Sequence, residues 1–387
     1  MPPAKLNVGL IGYKFMGRAH SQAWQTVGRF FDLDVKPVQQ VVCGRDATGV
    51  AQFADRWGWK HSATDWREVV QRDDVDVIDI SAPGNVHCEI AVAAAQAGKH
   101  VFCEKPLALT LAEGRQMLEA VQAAGVRHMV NFNYRRCPAV ALAKQMIDAG
   151  EIGEIRHARF TYLQDWLVDP EFPMNWRLRK DVSGSGAHGD LGAHAIDMAR
   201  YLVGEMDEVV GMKKTFITQR PAEGTSAGLT ATAGEGIEAV TVDDCSLFLA
   251  RFGSGAVGTF EATRLAPGRK NFNRFEINGS RGTLVWCFED LNMLDFYSTS
   301  DPSTRQGFRH IIATEGDHPY VGNWWPPGHM LGYEHGFSHA VYDLTQAIAA
   351  EGPCSPDFHD GVQCLAVLDA VDRSIETRTW AEVQDSQ

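Results

Sequence analysis

Three stretches of the chain carry residue types in spacings that suit chemistry. Gly12-Tyr13-Lys14-Phe15-Met16-Gly17 follows an apolar run at 6–12 and opens a helical pattern. Its glycine spacing is that of a loop whose bare backbone meets a pyrophosphate at a helix N-terminus, with Phe15 and Met16 beside it. Lys14 replaces the middle glycine; its ammonium lies either beside the phosphates or in solvent. The second stretch is Glu104-Lys105-Pro106, which ends a strand on the edge where parallel sheets bind ligands. A lysine there can stabilise a developing anion, or be no more than a solvated charge. The third is the glycine-rich run 183–189 leading into Asp190 and His194, four apart and so on one helix face. Histidine is the side chain best suited to move a proton near neutral pH. The competing reading is an aspartate N-cap with a satisfied histidine. His188, Asp190 and His194 also have the composition of a metal site, but Lys105 is a poor neighbour for a cation, and no metal is expected. His188 is given only a helix-entry hydrogen bond.

Cofactor choice is ambiguous at Cys43-Gly44-Arg45-Asp46, the end of the second strand. An acid there binds the ribose of NAD, whereas a nearby arginine suits the 2′-phosphate of NADP. Gly44 occupies the usual acid position, Arg45 follows, and Asp46 comes next.

The elements that must position these groups fall into two parts. Up to about residue 130, strands at 6–12, 38–43, 75–81, 100–103 and 126–132 alternate with helices at 16–28, 49–58, 88–97 and 110–124. Thr110 and Glu113 have capping-box spacing. This alternation predicts a doubly wound parallel sheet, an α/β Rossmann-type domain over 1–130. Beyond it, after a helix at 139–149, long alternating segments at 155–165, 209–218, 245–252, 256–265, 272–277 and 283–288 predict an α+β domain over 131–387. Its large open sheet is expected to be mostly antiparallel. Turns at 252–256 and 278–282 join neighbours as hairpins. Helices are expected at 190–203, 333–350 and 359–377, and 222–236 reads as a mobile polar loop.

Composition bounds the function. The 387 residues allow two or three domains of ~150 residues each. Acidic residues outnumber basic ones 49 to 36, a net charge of −13, which argues against nucleic acid as a partner. No apolar run is long enough to span a membrane, and the N-terminus lacks the apolar core of a secretory signal. Eight scattered cysteines read as reduced thiols of a cytoplasmic protein.

Taken together, the glycine loop, Ala82-Pro83-Gly84-Asn85-Val86-His87, Glu104-Lys105-Pro106 and the Asp190…His194 helix resemble the Gfo/Idh/MocA oxidoreductases, across nearly the whole chain. The resemblance implies a Rossmann domain, an open antiparallel sheet commonly used to build homotetramers, and NAD as cofactor with NADP as the alternative. It places Lys105, Asp190 and His194 at the catalytic positions. Gly12, Lys14, Phe15, Met16, Gly17, Arg45, Asn85, His87 and Glu104 fall on the cofactor side. Asp165-Trp166, Trp176-Arg177 and the Trp/Pro-rich segment after 316 resemble the subgroup acting on levoglucosan and inositol-like rings. Asp165, Trp176, Arg177 and His318 are therefore expected substrate contacts; a surface salt bridge for Arg177, and an oligomer contact or a neighbour's lid for the last segment, are the competing readings. The expected reaction is NAD(P)-dependent oxidation of a secondary ring hydroxyl of a cyclic polyol or pyranose, such as scyllo-inositol or a glucose-like hexose. His194 is the base, Asp190 the orienting acid and Lys105 the alkoxide stabiliser. A levoglucosan or glycoside 3-dehydrogenase, or a glycosidase that retains NAD, is the alternative. A non-catalytic dinucleotide sensor is disfavoured, because it needs no proton acceptor.

Overall fold

Short β-branched runs with helices between them form a six-stranded, wholly parallel sheet. Its strands are β1 (Ala4–Ile11), β2 (Val35–Cys43), β3 (His61–Ala63), β4 (Val77–Ile80), β5 (His100–Cys103) and β6 (His128–Val130), in the order β3-β2-β1-β4-β5-β6. The computed structural model describes residues 4–227 and 230–384. The strand order reverses between β1 and β4, the switch point at which such sheets bind ligands. Helices α1 (Phe15–Phe30), α2 (Ala47–Trp57), α3 (Trp66–Val70), α4 (His87–Gln96) and α5 (Leu111–Ala124) cover the two faces. Alternation decides which face each side chain serves: Leu6, Val8 and Leu10 of β1 pack with Ala23, Trp24 and Val27 of α1. Thr110 and Glu113 close the expected capping box on α5. The three-residue β3 escapes sequence reading because it is too short to show a period.

The second part begins with α6 (Pro138–Asp148), β7 (Ile155–Leu163) and the short α7 (Lys180–Ser183), then α8 (Ala193–Leu202). It continues with β8 (Met206–Lys214), β9 (Gln219–Ala227), β10 (Thr230–Ala239), β11 (Cys245–Phe252) and β12 (Val257–Thr263). Next come β13 (Phe272–Gly279), β14 (Gly282–Cys287), β15 (Met293–Ser298) and β16 (Arg309–Ile312). Helices α9 (His335–Ala349) and α10 (Phe358–Thr377) and a two-residue β17 (Ala381–Glu382) close the chain. Nine of these strands make one open sheet, β16-β15-β14-β13-β7-β12-β11-β8-β17, antiparallel except where β12 runs parallel to β7. Its inner face stacks Phe248 on Phe260 and Phe260 on Phe160. β15 carries a buried alternation (Leu294, Phe296, Ser298) that marks it as a strand, whereas β16 and β17 are short edges.

Two expectations are corrected. Within 222–236 the described residues form a β-hairpin, β9 against β10, and not a loop. The ribbon is largely exposed, so no buried face imposed an apolar alternation on its Gly/Ala/Thr-rich sequence. The helix expected at 190–203 begins earlier, with a π-helical turn at His188–Gly192 that leads into α8.

The chain also doubles back. Phe337, Ala340, Val341 and Leu344 of α9 join the cluster of β1, β2 and α1, completing one face of the parallel sheet, while α10 packs against α5, α8 and β8. All eight cysteines are free, and no helix among the described residues is long and apolar enough to cross a membrane.

Candidate active site

The loop after β1 is built for close approach. Gly12 has φ +106°, and a Cβ there would lie 2.7 Å from the Ser81 carbonyl carbon and oxygen. A Cβ on Gly17 would lie 2.4 Å from Gly12 O, so both glycines are required by space. No side chain caps the N-terminus of α1, which leaves its first amides for an anion, as a pyrophosphate requires. The residues present therefore fit a dinucleotide. Lys14 is exposed, its Nζ 5.0 Å from the Tyr13 ring centroid, and Phe15 (40 % exposed) stacks on Tyr333. Arg45, just past the end of β2, and Asn85, in the 3-10 turn Gly84–Val86 before α4, are also exposed.

At the end of β5, Lys105 reaches across to the π-helical turn. Its Nζ donates to the Asp190 backbone oxygen (2.9 Å) and to Asp190 Oδ1 (3.1 Å). The other carboxylate oxygen accepts from Arg264 Nη2 at 2.9 Å, and Arg264 is fully buried at the end of β12. Burial pushes the Asp190 carboxyl up, but Lys105, Arg264 and Arg177 pull it far below the usual carboxylate range, so it is ionised at any working pH. The cap that the competing reading assigns to Asp190 comes from Asp243, which accepts from the amides of Gly186 (2.9 Å) and His188 (2.8 Å). Asp190 is thereby free for the lysine. π-turns of this kind recur at functional sites, because they place one residue out of helical step.

His194, a turn further on, is 7 % exposed and ringed by Tyr134 (centroids 4.5 Å apart), Tyr162 (5.7 Å) and Phe132 (6.5 Å). Burial and then the Lys105 charge hold its pKa well below the ordinary histidine value, against the pull of Asp190. A neutral imidazole can accept a proton at its unprotonated ring nitrogen. A hydrogen-bonded row lies beside it. Tyr162 donates to Asn271 Oδ1 (2.7 Å), which also accepts from Gln164 Nε2 (2.9 Å). Since the single Tyr162 proton is committed there, the 3.0 Å Tyr134–Tyr162 contact has Tyr134 as donor.

Behind Lys105 lies a fully buried polar chain. His20, three residues past Gly17 on α1, sets Nδ1 against Asp79 (2.8 Å) and Nε2 against Glu104 Oε1 (2.8 Å). Trp24 Nε1 donates to Asp79, and Asn131 Nδ2 donates to Glu104. A ring with a carboxylate at each nitrogen is an imidazolium. Burial opposes that charge, but Asp79 and Glu104 outweigh it and raise the His20 pKa to about 10. Glu104 Oε2 in turn accepts from the Lys105 amide (3.2 Å), so the chain braces the strand end that carries Lys105.

The remaining expected residues have partners of their own. Both His87 nitrogens face backbone carbonyls, of Ala82 (2.9 Å) and of Pro106 and Leu107 (3.1 and 3.2 Å), so His87 staples the loop after Lys105. His188 links Ser246 on β11 to Leu368 O on α10, a structural role at the helix entry. Arg177 stacks on Trp176 at 4.3 Å and lies within the field of Asp190. Asp165 is taken up by Lys270 Nζ (2.7 Å) and the Gly268 amide. His318 closes a local turn, accepting from the Glu315 amide (3.0 Å). Trp324, in the same Trp/Pro-rich segment, packs on Phe30 and Phe31, at the opposite end of α1 from the glycine loop. Over the 16 residues of α1 that separates the segment from the loop by roughly 20 Å. Reading the sequence missed Arg264, His20, Tyr134 and Tyr333. Arg264 and His20 meet partners 59 to 84 residues away, and no local pattern announces such contacts.

Residues 6–132 match the oxidoreductase family with an NAD-binding Rossmann fold, and residues 140–285 match the GFO/IDH/MocA C-terminal domain. The chain belongs to the GFO/IDH/MocA oxidoreductase family. Like other members, this GFO/IDH/MocA protein is an enzyme, and its first domain binds NAD. Over 383 residues it is 45 % identical to the levoglucosan dehydrogenase of Pseudarthrobacter phenanthrenivorans, covering 98 % of each chain. Among solved structures, an oxidoreductase domain protein from Kribbella flavida superposes with a TM-score of 0.94 at 51 % identity, covering 99 % of this chain and all of that one. A levoglucosan dehydrogenase in complex with NADH and levoglucosan superposes with a TM-score of 0.93 at 44 % identity, covering 98 % and 99 % of the two chains.

Proposed function

We propose that this protein is an NAD-dependent dehydrogenase oxidising one secondary ring hydroxyl of a pyranose-type sugar, with levoglucosan the first candidate and inositols the second. The observation that carries the reading is His194: a neutral, aromatic-caged imidazole beside a lysine already ion-paired to Asp190. The similarity to a levoglucosan dehydrogenase over nearly the whole chain supports the substrate class. A dinucleotide held with its pyrophosphate at the glycine loop would supply, through its nicotinamide, the hydride acceptor. His194 takes the hydroxyl proton, and the Lys105 ammonium, held by Asp190, offsets the charge that builds on the substrate oxygen. Arg177 on its Trp176 platform and the Gln164/Asn271 row would read further hydroxyls, with Asp165 and His318 as additional candidate contacts. The working units we assign are 1–130 for the cofactor and 131–387 for substrate and assembly.

The test is a screen of levoglucosan, inositols and hexoses for dinucleotide reduction at the reduced-nicotinamide band. No reduction with any of them would defeat the reading, and aglycone release without net reduction would identify a retained-cofactor glycosidase. A pH profile checks His194. Because its pKa is lowered, the base stays neutral below pH 6.5, and the acid limb of kcat/KM is expected to fall below the ordinary histidine value of 6.5.

The outer face of the nine-stranded sheet supports a homo-oligomer, which we take to be a tetramer in the cytoplasm. Met212 (60 % exposed), Leu249 (48 %) and Val257 (47 %) line it with Leu247, an apolar surface that a monomer would leave in water. Leu249→Glu is expected to lower the assembly state in sedimentation; an unchanged mass would refute this assignment.

A further inference from the structure

Gly44 stands where an NAD-binding Rossmann domain usually carries an acid, yet the protein binds NAD. The structure shows what fills the space. A Cβ on Gly44 would lie 2.2 and 2.3 Å from Cδ1 and Cε1 of Tyr13, so the Tyr13 ring occupies the volume that a side chain at 44 would need. Gly49 makes the same allowance: its Cβ would lie 2.8 Å from the Tyr13 hydroxyl and 2.5 Å from Asp46 Oδ2. Neither glycine has a positive φ, so space is what both provide. Tyr13 belongs to the glycine loop and Asp46 to the end of β2. Their side chains meet there, hydroxyl to Oδ2 at 3.5 Å. The other Asp46 oxygen accepts from the Thr48 amide and caps α2, fixing the carboxylate. Phe53 holds the Tyr13 ring edge-on at 5.7 Å.

We propose that Tyr13 and Asp46 together read the adenosine ribose, replacing the acid that position 44 lacks, and that Asp46 repels the 2′-phosphate of NADP. The carboxylate accepts from a ribose hydroxyl, and the tyrosine forms the wall on which the ribose rests. Lys14 and Arg45, both exposed nearby, are the groups that would favour the phosphate if Asp46 did not oppose it.

The experiment is titration of the intact protein with NADH and with NADPH, followed by calorimetry and independent of turnover. Asp46→Ser keeps a good helix cap while removing the charge, so α2 remains capped. It is expected to weaken NADH about tenfold and to narrow the NADH-over-NADPH preference. Restoring the usual acid, Gly44→Asp, is expected to weaken NADH by about tenfold or more, because it displaces the Tyr13 ring. Tyr13→Ala combined with Gly44→Asp should recover affinity to within about threefold of the unsubstituted protein, a non-additivity expected of side chains competing for one space. The proposal is overturned if Asp46→Ser leaves the NADH/NADPH ratio unchanged, or if Gly44→Asp alone binds NADH as tightly as the parent. An intrinsic preference for NADPH would assign the site to Lys14 and Arg45 instead.

Discussion

Replacing Lys105 with alanine is expected to lower kcat about 10²–10³-fold while leaving dinucleotide binding and folding intact. The magnitude is that of removing one preorganised donor from a site where negative charge develops. Lys105 is well placed for it, because its ammonium is fixed by two bonds to Asp190, one to the backbone oxygen and one to the carboxylate. Folding should survive because Asp190 keeps a second partner, Arg264 at 2.9 Å, so no buried carboxylate is stranded. If the loss falls in kcat and kcat/KM alike, the interaction is one made only in the transition state. An unchanged kcat in a folded variant would remove Lys105 from the mechanism.

The second large effect concerns stability. His20→Gln is expected to cost about 3–5 kcal/mol, because it leaves Asp79 and Glu104 buried without their cation. The two carboxylates and the ring are all at or below 6 % exposure, so solvent cannot compensate. The sign of the pH dependence follows from the raised pKa. An unfolded histidine titrates near 6.5 and the folded one at about 10. The stabilisation is therefore complete below pH 6.5, declines above it, and is lost as the pH passes about 10. Urea midpoints of parent and variant should differ most at pH 6.5 or just below and converge toward pH 10. A gap independent of pH would show that His20 is not a cation.

The parts of the site that sequence displays are those written in consecutive residues. Gly12 through Gly17, Glu104-Lys105-Pro106 and Asp190 with His194 each lie within a few consecutive residues, and spacing alone marks them. What it does not display are partners chosen by tertiary contact. Asp190 and His194 look like a simple i, i+4 pair, but Asp190 lies inside a π-turn whose cap comes from Asp243. His87 carries the same residue type expected of a cofactor contact, yet three backbone carbonyls surround its ring. The central strands of the parallel sheet were legible because they are buried on both sides and read as apolar runs, as β4 does with all four residues buried. The β9–β10 ribbon was not, since an exposed ribbon imposes no such pattern.

The return of α9 to the first sheet has a consequence for biosynthesis. Strand β6 ends at Val130, and α9 does not begin until His335, roughly 200 residues later. At about 5–20 residues per second a ribosome needs about 10–40 s to make that interval. For that time the sheet that is made first still lacks Phe337, Ala340, Val341 and Leu344 on one flank. The cofactor-binding half is thus the first to emerge and the last to be completed, and a nascent chain must shelter its apolar flank until almost the whole protein has been translated.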